Sequence, residues 1–182
     1  MSEATELCVV ADARRGDAAA LTALYEHFKQ GVFRFIYYRT NDVEVAADLT
    51  GDVFEKMLKA LPAYQPQCPF AAWLFQIARN RVIDYWRHQQ VRQNVPLDAG
   101  LPSPDVSPEQ VVEQRLTVER LVRALSYLTL DQRDVLILRY VVGMRIRLVA
   151  TTMEKSDGAV RMLQQRALEA LRKRLLLGEE MP

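Results

Sequence analysis

The chain has 182 residues, of which 49% are hydrophobic and 26% are charged, as in soluble globular proteins. This length allows one medium domain or two small ones, and no apolar run reaches the roughly 18 residues of a membrane-spanning helix. The net charge is +1, and the two cysteines, Cys8 and Cys68, are too few for a disulfide framework.

Alanine, leucine, arginine and glutamate are plentiful and alternating β-branched patterns are rare, which predicts an all-α protein. The N-terminus lacks the basic-then-apolar pattern of an export signal, so we expect a cytoplasmic protein. His27 and His88 are the only histidines, and neither a metal-ligand cluster nor a glycine-rich phosphate loop occurs. We therefore expect no metal, no cofactor and no enzymatic activity.

The first predicted helices span residues 6–15 and 18–39, with Asp17 suited to cap the second. Apolar and aromatic residues recur along one face of the second helix and are predicted to be core, namely Leu21, Leu24, Tyr25, Phe28, Val32, Phe35 and Ile36. The helix is predicted to stop at residues 40–42, where the next helix is capped.

The next predicted helix, 43–61, carries an acidic stripe beside its apolar one. The residues predicted to face inward are Val45, Leu49, Val53, Met57, Leu58 and Leu61. Glu44, Asp48, Asp52 and Glu55 line the neighbouring face at helical spacing. Such a stripe is usually a solvated surface, but it also suits docking onto a basic partner.

A proline-flanked loop, 62–69, leads into a predicted helix over residues 70–88 that has two different faces. Phe70, Trp73, Leu74, Ile77 and Ala78 form the apolar stripe, while Gln76, Arg79, Asn80, Asp84 and Arg87 fall on another face. Arginine and asparagine hydrogen-bond phosphates and base edges, and Trp73, Tyr85 and Trp86 offer rings on which an unpaired base could stack. The alternative is an ordinary amphipathic helix with solvated charges.

The polar, proline-rich stretch 89–108 predicts an interdomain linker, and we place the boundaries of the chain's parts at 1–92, 93–108 and 109–182. Helices are predicted over 109–125 and 130–142, the second capped by Thr129 or Asp131. Two further helices are predicted over 147–153 and 157–176, with Ser156 as the cap of the second. Arg161, Gln165 and Arg172 lie opposite the buried stripe of helix 157–176, and a helix whose N-terminal part is rich in arginine and glutamine suits reading of the major groove.

The ordered motif FxAWLxxIARNxxxDxxR resembles the promoter-melting and minus-ten-reading segment of bacterial sigma factors, and most closely that of the extracytoplasmic-function (ECF) type, group 4 of the sigma-70 family. The resemblance implies an all-α protein of two small helical domains, a region 2-like domain and a region 4-like helix-turn-helix domain, joined by a flexible linker. It implies a sigma factor that binds core RNA polymerase and promoter DNA, and an anti-sigma factor is a further partner that it allows.

The resemblance also implies roles for individual residues. The helix containing AADLTGDVFEKMLKAL looks like the helix that docks on core polymerase, with Asp48, Asp52 and Glu55 as contacts. The minus-ten contacts would be Gln65, Gln67, Trp73, Arg79, Asn80, Asp84 and Arg87. The segment KSDGAVRMLQQRALEAL looks like the minus-thirty-five recognition helix, whose contacts would be Ser156, Arg161, Met162, Gln165 and Arg166.

Family members usually carry glycine where Glu154 stands, at the turn between the two helices. If that turn requires a positive φ, the glutamate costs on the order of 1 kcal/mol. Two other functions compete with the sigma factor. One is a helix-turn-helix regulator that binds duplex DNA without polymerase, and the other is a sigma-like decoy that binds polymerase without promoter specificity.

Overall fold

The computed structural model describes residues 3–92, 121 and 123–178, and every regular element within those residues is helical. The helices are α1 (Glu3–Arg14), α2 (Ala18–Thr40), α3 (Val43–Ala60), α4 (Phe70–Arg92), α5 (Leu130–Leu136), α6 (Ile146–Met153) and α7 (Asp157–Gly178). A short 3-10 turn, Leu61–Ala63, follows α3, and a π-helical segment, Ile137–Val141, extends α5. The all-α prediction is confirmed.

Side-chain caps explain where several of these helices begin. Asp17 accepts a hydrogen bond from the Ala20 amide at 2.7 Å, and Asp42 accepts one from the Val45 amide at 3.0 Å. Thr129 and Gln132 form a reciprocal capping box at the start of α5, so Thr129 is the cap rather than Asp131. Because these caps satisfy amides that have no partner inside the helix, the predicted starts of α2, α3 and α5 are confirmed.

Helices α2, α3 and α4 pack together and form the N-terminal half of the core. The fully buried side chains include Leu24, Phe35 and Ile36 of α2, Val53 and Met57 of α3, and Leu74, Ala78 and Val82 of α4. Two predicted core residues are wrong, since Tyr25 is 43% and Leu58 is 48% exposed. Both stand one helical position beyond a buried residue, so their side chains point about 100° away from the core.

Helix α4 continues to Arg92, four residues beyond its predicted end at His88. The chain from Gln89 to Arg92 contains neither proline nor glycine, and the amide of Gln89 donates to the Tyr85 hydroxyl at 3.1 Å. A linker beginning at 89 is therefore wrong. The predicted linker 93–108 and most of the predicted helix 109–125 lie outside the described residues.

The C-terminal half, from α5 to α7, is a helix-turn-helix preceded by a helix that changes from α-helical to π-helical. The predicted helix 130–142 is α-helical only to Leu136, and the Val142 amide then bonds to the Ile137 carbonyl at 3.0 Å in a π-helical step. The turn between α6 and α7 does require a left-handed residue, since Glu154 has φ 54° and ψ 42°. Ser156 caps α7 as predicted, accepting from the Ala159 amide at 3.2 Å.

The two halves pack directly against each other, with α4 against α6 and α2 against the π-helical segment. At Gly31, a Cβ atom would lie 3.3 Å from Cζ of Phe75 and 3.9 Å from Cγ1 of Val142, so the absent side chain permits this close approach. Buried apolar side chains from both halves form one continuous cluster.

Candidate polymerase and nucleic-acid interfaces

The acidic stripe on α3 lies on the surface, as its spacing predicts. Asp48 and Glu55 are exposed and Asp52 is half-buried. Asp52 forms an ion pair with Arg81 of α4, and Glu55 pairs with Lys59 one turn along. The Glu55–Lys59 pair is exposed and the Asp52–Arg81 pair is partly exposed, and ion pairs in contact with solvent contribute little to stability, about 0–1 kcal/mol each. A basic partner surface could therefore replace them at small cost.

The loop before α4 is held by a buried tyrosine. The Tyr64 hydroxyl donates to the Cys68 carbonyl oxygen at 2.6 Å, and burial raises the pKa of Tyr64 to about 12. Gln67 and Gln65 are both exposed, and the Gln67 amide donates to the Gln65 side-chain oxygen at 2.8 Å. The loop is therefore anchored by the buried Tyr64, and its two amide side chains, Gln65 and Gln67, are exposed to solvent.

The predicted minus-ten residues of α4 are divided between solvent and protein contacts. Asn80 and Arg87 are exposed, and Arg87 lies 3.5 Å from the Asp84 carboxylate. Trp73 is half-buried in an aromatic cluster, with its ring centroid 4.8 Å from that of Tyr64 and 5.6 Å from that of Phe70. Arg79, by contrast, points into the boundary between the two halves.

At that boundary four charged side chains meet, and we name them the interface cluster: Arg39 of α2, Arg79 of α4, and Asp131 and Asp134 of α5. Asp134 lies 3.1 Å from Arg39 Nη1 and 2.8 Å from Arg79 Nε, and Asp131 lies 2.9 Å from Arg79 Nη2. The side chains of Arg39 and Asp134 have no solvent exposure. Lys155, in the turn before α7, also contacts Asp131 at 3.0 Å.

Burial raises the pKa of both carboxyl groups of this cluster, and the nearby positive charges lower it. Burial raises the pKa of Asp134 and outweighs the opposing attraction of Arg39 and Arg79. Burial would also raise the pKa of Asp131, but the hydrogen bond from Lys155 and the nearby Arg79 charge hold that pKa below its ordinary value.

The interface cluster was not predicted, although Arg39 and Asp134 each stand within an apolar stripe of the sequence. Arg39 follows Phe35 and Ile36 at steps of four and three, in line with the buried stripe of α2. Asp134 stands four residues before Leu138, also in line with buried positions. A charged residue within an apolar stripe indicates a buried partner.

The outer face of α7 carries the predicted minus-thirty-five residues. Ser156, Arg161, Met162, Gln165 and Arg166 are all exposed. The Gln165 amide donates to Glu169 at 3.0 Å, within the same helix. Val160 and Ala167 are buried on the opposite side, which fixes the rotation of the helix and turns the polar set outward.

Over the described part of the chain, no group of three or more potential metal-ligating residues occurs. None of the helices seen there is long and apolar enough to cross a membrane.

Comparisons with known proteins agree on one family. Sigma-70 region 2 matches residues 24–92, and Sigma-70, region 4 matches residues 118–171. The ECF RNA polymerase sigma factor SigX of Bacillus subtilis is 32% identical over 87% of this chain and 85% of its own length. BldN, an ECF RNA polymerase sigma factor of Streptomyces coelicolor, is 34% identical over 90% of this chain, which spans 63% of that relative's length.

Among solved structures, CnrH of Cupriavidus metallidurans, determined in complex with the cytosolic domain of CnrY, superposes with a TM-score of 0.75. The superposition covers 97% of this chain and 99% of CnrH at 23% identity, and it supports the same fold. The protein therefore belongs to the ECF RNA polymerase sigma factors of the sigma-70 family, which direct promoter-specific transcription initiation.

Proposed function

We propose that residues 1–92 of this sigma factor dock on core polymerase and read the minus-ten element. Residues 109–182 would read the minus-thirty-five element. Residues 93–108 would be the linker. The observation that carries the proposal is the presence on one chain of an exposed acidic helix face, a helix that bears arginine and asparagine, and a second helix, α7, whose arginine and glutamine side chains are exposed.

Docking on core polymerase is assigned to the α3 face that carries Asp48, Asp52 and Glu55. Asp48 is exposed and forms no ion pair with a described side chain, so its charge is free to meet a basic surface. Complementary charge of this kind raises the association rate and fixes the orientation of docking.

Recognition of the minus-ten element is assigned to α4 and the loop before it. Gln65 and Gln67 would hydrogen-bond the edge of a flipped base, while Trp73 supplies an aromatic face and Asn80, Asp84 and Arg87 line the strand path. Arg79 belongs to this set only once it leaves Asp131 and Asp134.

Recognition of the minus-thirty-five element is assigned to α7. Arg161 and Gln165 would read base edges in the major groove, Met162 and Arg166 would flank them, and Ser156 would lie near a phosphate. All five are exposed.

The protein would act in the cytoplasm without catalysing a reaction, and an anti-sigma protein is a further partner.

The test is transcription by purified core polymerase on a genomic promoter library, with and without this protein. We expect new transcripts whose start sites share one upstream motif. Binding to core without any transcript would instead identify a decoy, and binding to duplex DNA without binding to core would identify a free-standing regulator.

A further inference from the structure

A groove runs between α2 and the loop before α4 on one side and the start of α6 on the other, and we name it the basic groove. Its volume is about 1040 Å³, near the upper end of the roughly 300–1,000 Å³ that small-molecule sites occupy. Apolar side chains contribute to its lining, among them Val142 and Leu148, which are both half-buried. The groove therefore has the size and the partly apolar surface of a site for a small organic molecule.

Three arginines line the basic groove from two directions. Arg34 belongs to α2, while Arg145 and Arg147 stand at the start of α6. All three are exposed, and none forms an ion pair or a side-chain hydrogen bond within the part of the chain that the structure describes. Glu6 is the one carboxylate among the described residues on the lining, so positive charge is in excess there and favours an anion.

The backbone that carries Arg145 and Arg147 is held in place. Gly143 turns the chain with a φ of 84°, and the Met144 amide donates to the Leu138 carbonyl oxygen at 2.9 Å. Arg145 occupies the N-cap position of α6, and no side chain caps that helix. The positive end of the α6 dipole therefore adds to the charge of the arginines at this end of the groove.

We propose that the basic groove binds a small organic phosphate of about the size of a nucleoside diphosphate. Arg34, Arg145 and Arg147 would hold the phosphate end, because a guanidinium group donates paired hydrogen bonds to phosphate oxygens. Val142 and Leu148 would contact the less polar end of the ligand. The inference does not depend on which residues contact polymerase or promoter DNA.

The DNA backbone offers the same phosphate chemistry, but the shape of the site favours a small ligand. The arginines line a concave surface of nucleotide size, and a phosphodiester backbone would leave the apolar part of that surface uncovered. A ligand that carries both a phosphate and a flat organic group would use both parts.

Isothermal titration calorimetry on the full chain tests the site, with ADP, inorganic pyrophosphate and adenosine as probes. We expect ADP to bind one-to-one with a dissociation constant on the order of 10 μM. Pyrophosphate should bind at least about tenfold more weakly, because it leaves the apolar lining uncovered. Adenosine, which has no phosphate, should give no measurable binding.

Substitutions assign the binding to the groove. Arg34→Ala and Arg147→Ala should each weaken ADP binding by at least about tenfold, since each removes one charge-assisted contact. Arg15→Ala is the matched control, because Arg15 is an exposed arginine outside the groove that pairs with Asp12, and it should leave ADP binding unchanged. Circular dichroism should show the same helix content in all three variants.

Several results would overturn the proposal. One is that neither ADP nor pyrophosphate binds at about 1 mM. Another is that Arg15→Ala weakens ADP binding as much as Arg34→Ala does, which would show non-specific attraction. Pyrophosphate that binds as tightly as ADP would exclude an organic ligand. A DNA duplex of unrelated sequence that loses affinity with Arg34→Ala, while ADP does not bind, would assign these arginines to the DNA backbone.

Cys68 reports where the ligand lies, because its half-buried side chain also lines the basic groove. In a Cys8→Ser background, the rate at which iodoacetamide alkylates Cys68 would be followed by mass. ADP at about ten times its dissociation constant should slow this alkylation by about tenfold, as mass action requires if the bound form is protected. An unchanged rate with ADP bound would place the ligand elsewhere and overturn the assignment.

Discussion

At the scale of single residues, Asp134 is a buried carboxylate whose loss should destabilise the fold. Its carboxylate is fully buried between Arg39 and Arg79. Removing one partner of a buried ion pair leaves the other charge uncompensated, at a cost of about 3–5 kcal/mol. Asp134→Ala should therefore lower the free energy of unfolding by about that amount, measured by urea denaturation.

The double variant Arg39→Met with Asp134→Leu is the matched comparison, because it removes both charges and retains volume. Its free energy of unfolding should lie within about 1–2 kcal/mol of the wild type, or above it. If the double variant were as unstable as Asp134→Ala, the ion pair would have to give a net stabilisation of the fold. It would then do more than offset the cost of burying its two charges.

Tyr64 gives a prediction for alkaline pH. Its pKa is raised by burial to about 12, above the ordinary value near 10 that the unfolded chain has. The folded state therefore holds this proton more tightly, and the stability that the neutral hydroxyl contributes is complete below pH 10 and is lost between about pH 10 and 12.

The comparison with Tyr64→Phe isolates this residue from the other groups that titrate in the same range. The substitution removes the bond to the Cys68 carbonyl and should cost about 1 kcal/mol at neutral pH. The difference in free energy of unfolding between the two proteins should then shrink from pH 10 to pH 12. A constant difference would show that Tyr64 ionises at an ordinary pKa.

At the scale of elements, one face of α3 packs in the core and another carries the acidic stripe on the surface. Reversal of the charge with Asp48→Lys and Asp52→Lys should weaken binding to core polymerase by at least about tenfold, because two attractive contacts become repulsive. The helical circular dichroism should stay the same, since both residues lie outside the core. Unchanged binding would remove the docking role from this face, and Glu26→Lys on α2 is the control.

Helix α7 packs on the core with one face, and the proposed function assigns its exposed face to DNA recognition. Arg161→Ala should lower promoter affinity by about 1–3 kcal/mol and relax the preference at one base pair, because a bidentate base contact is lost. The measurement is titration of promoter duplexes that differ in the minus-thirty-five element. A uniform loss across all sequences would indicate that Arg161 contacts phosphate instead.

At the scale of the whole molecule, local pattern predicted the helices well and their assembly poorly. The caps at Asp17, Asp42 and Ser156 and the left-handed turn at Glu154 are determined by neighbours in sequence. Arg79 stands 52 and 55 residues from its partners Asp131 and Asp134, and no periodic pattern specifies that meeting. The DNA-reading roles of these side chains stay predictions, and the sequence did not predict that the chain itself binds one of them, Arg79.

Run-off transcription with purified core polymerase measures whether this protein acts as a promoter-directing subunit. Wild-type protein, the Asp48→Lys/Asp52→Lys variant and Arg161→Ala would be compared on the same promoter library. We predict specific transcripts with the wild-type protein and none with the Asp48→Lys/Asp52→Lys variant. With Arg161→Ala we predict transcripts from a different set of promoters. If core polymerase gave the same transcripts with and without the wild-type protein, this protein would not direct promoter choice.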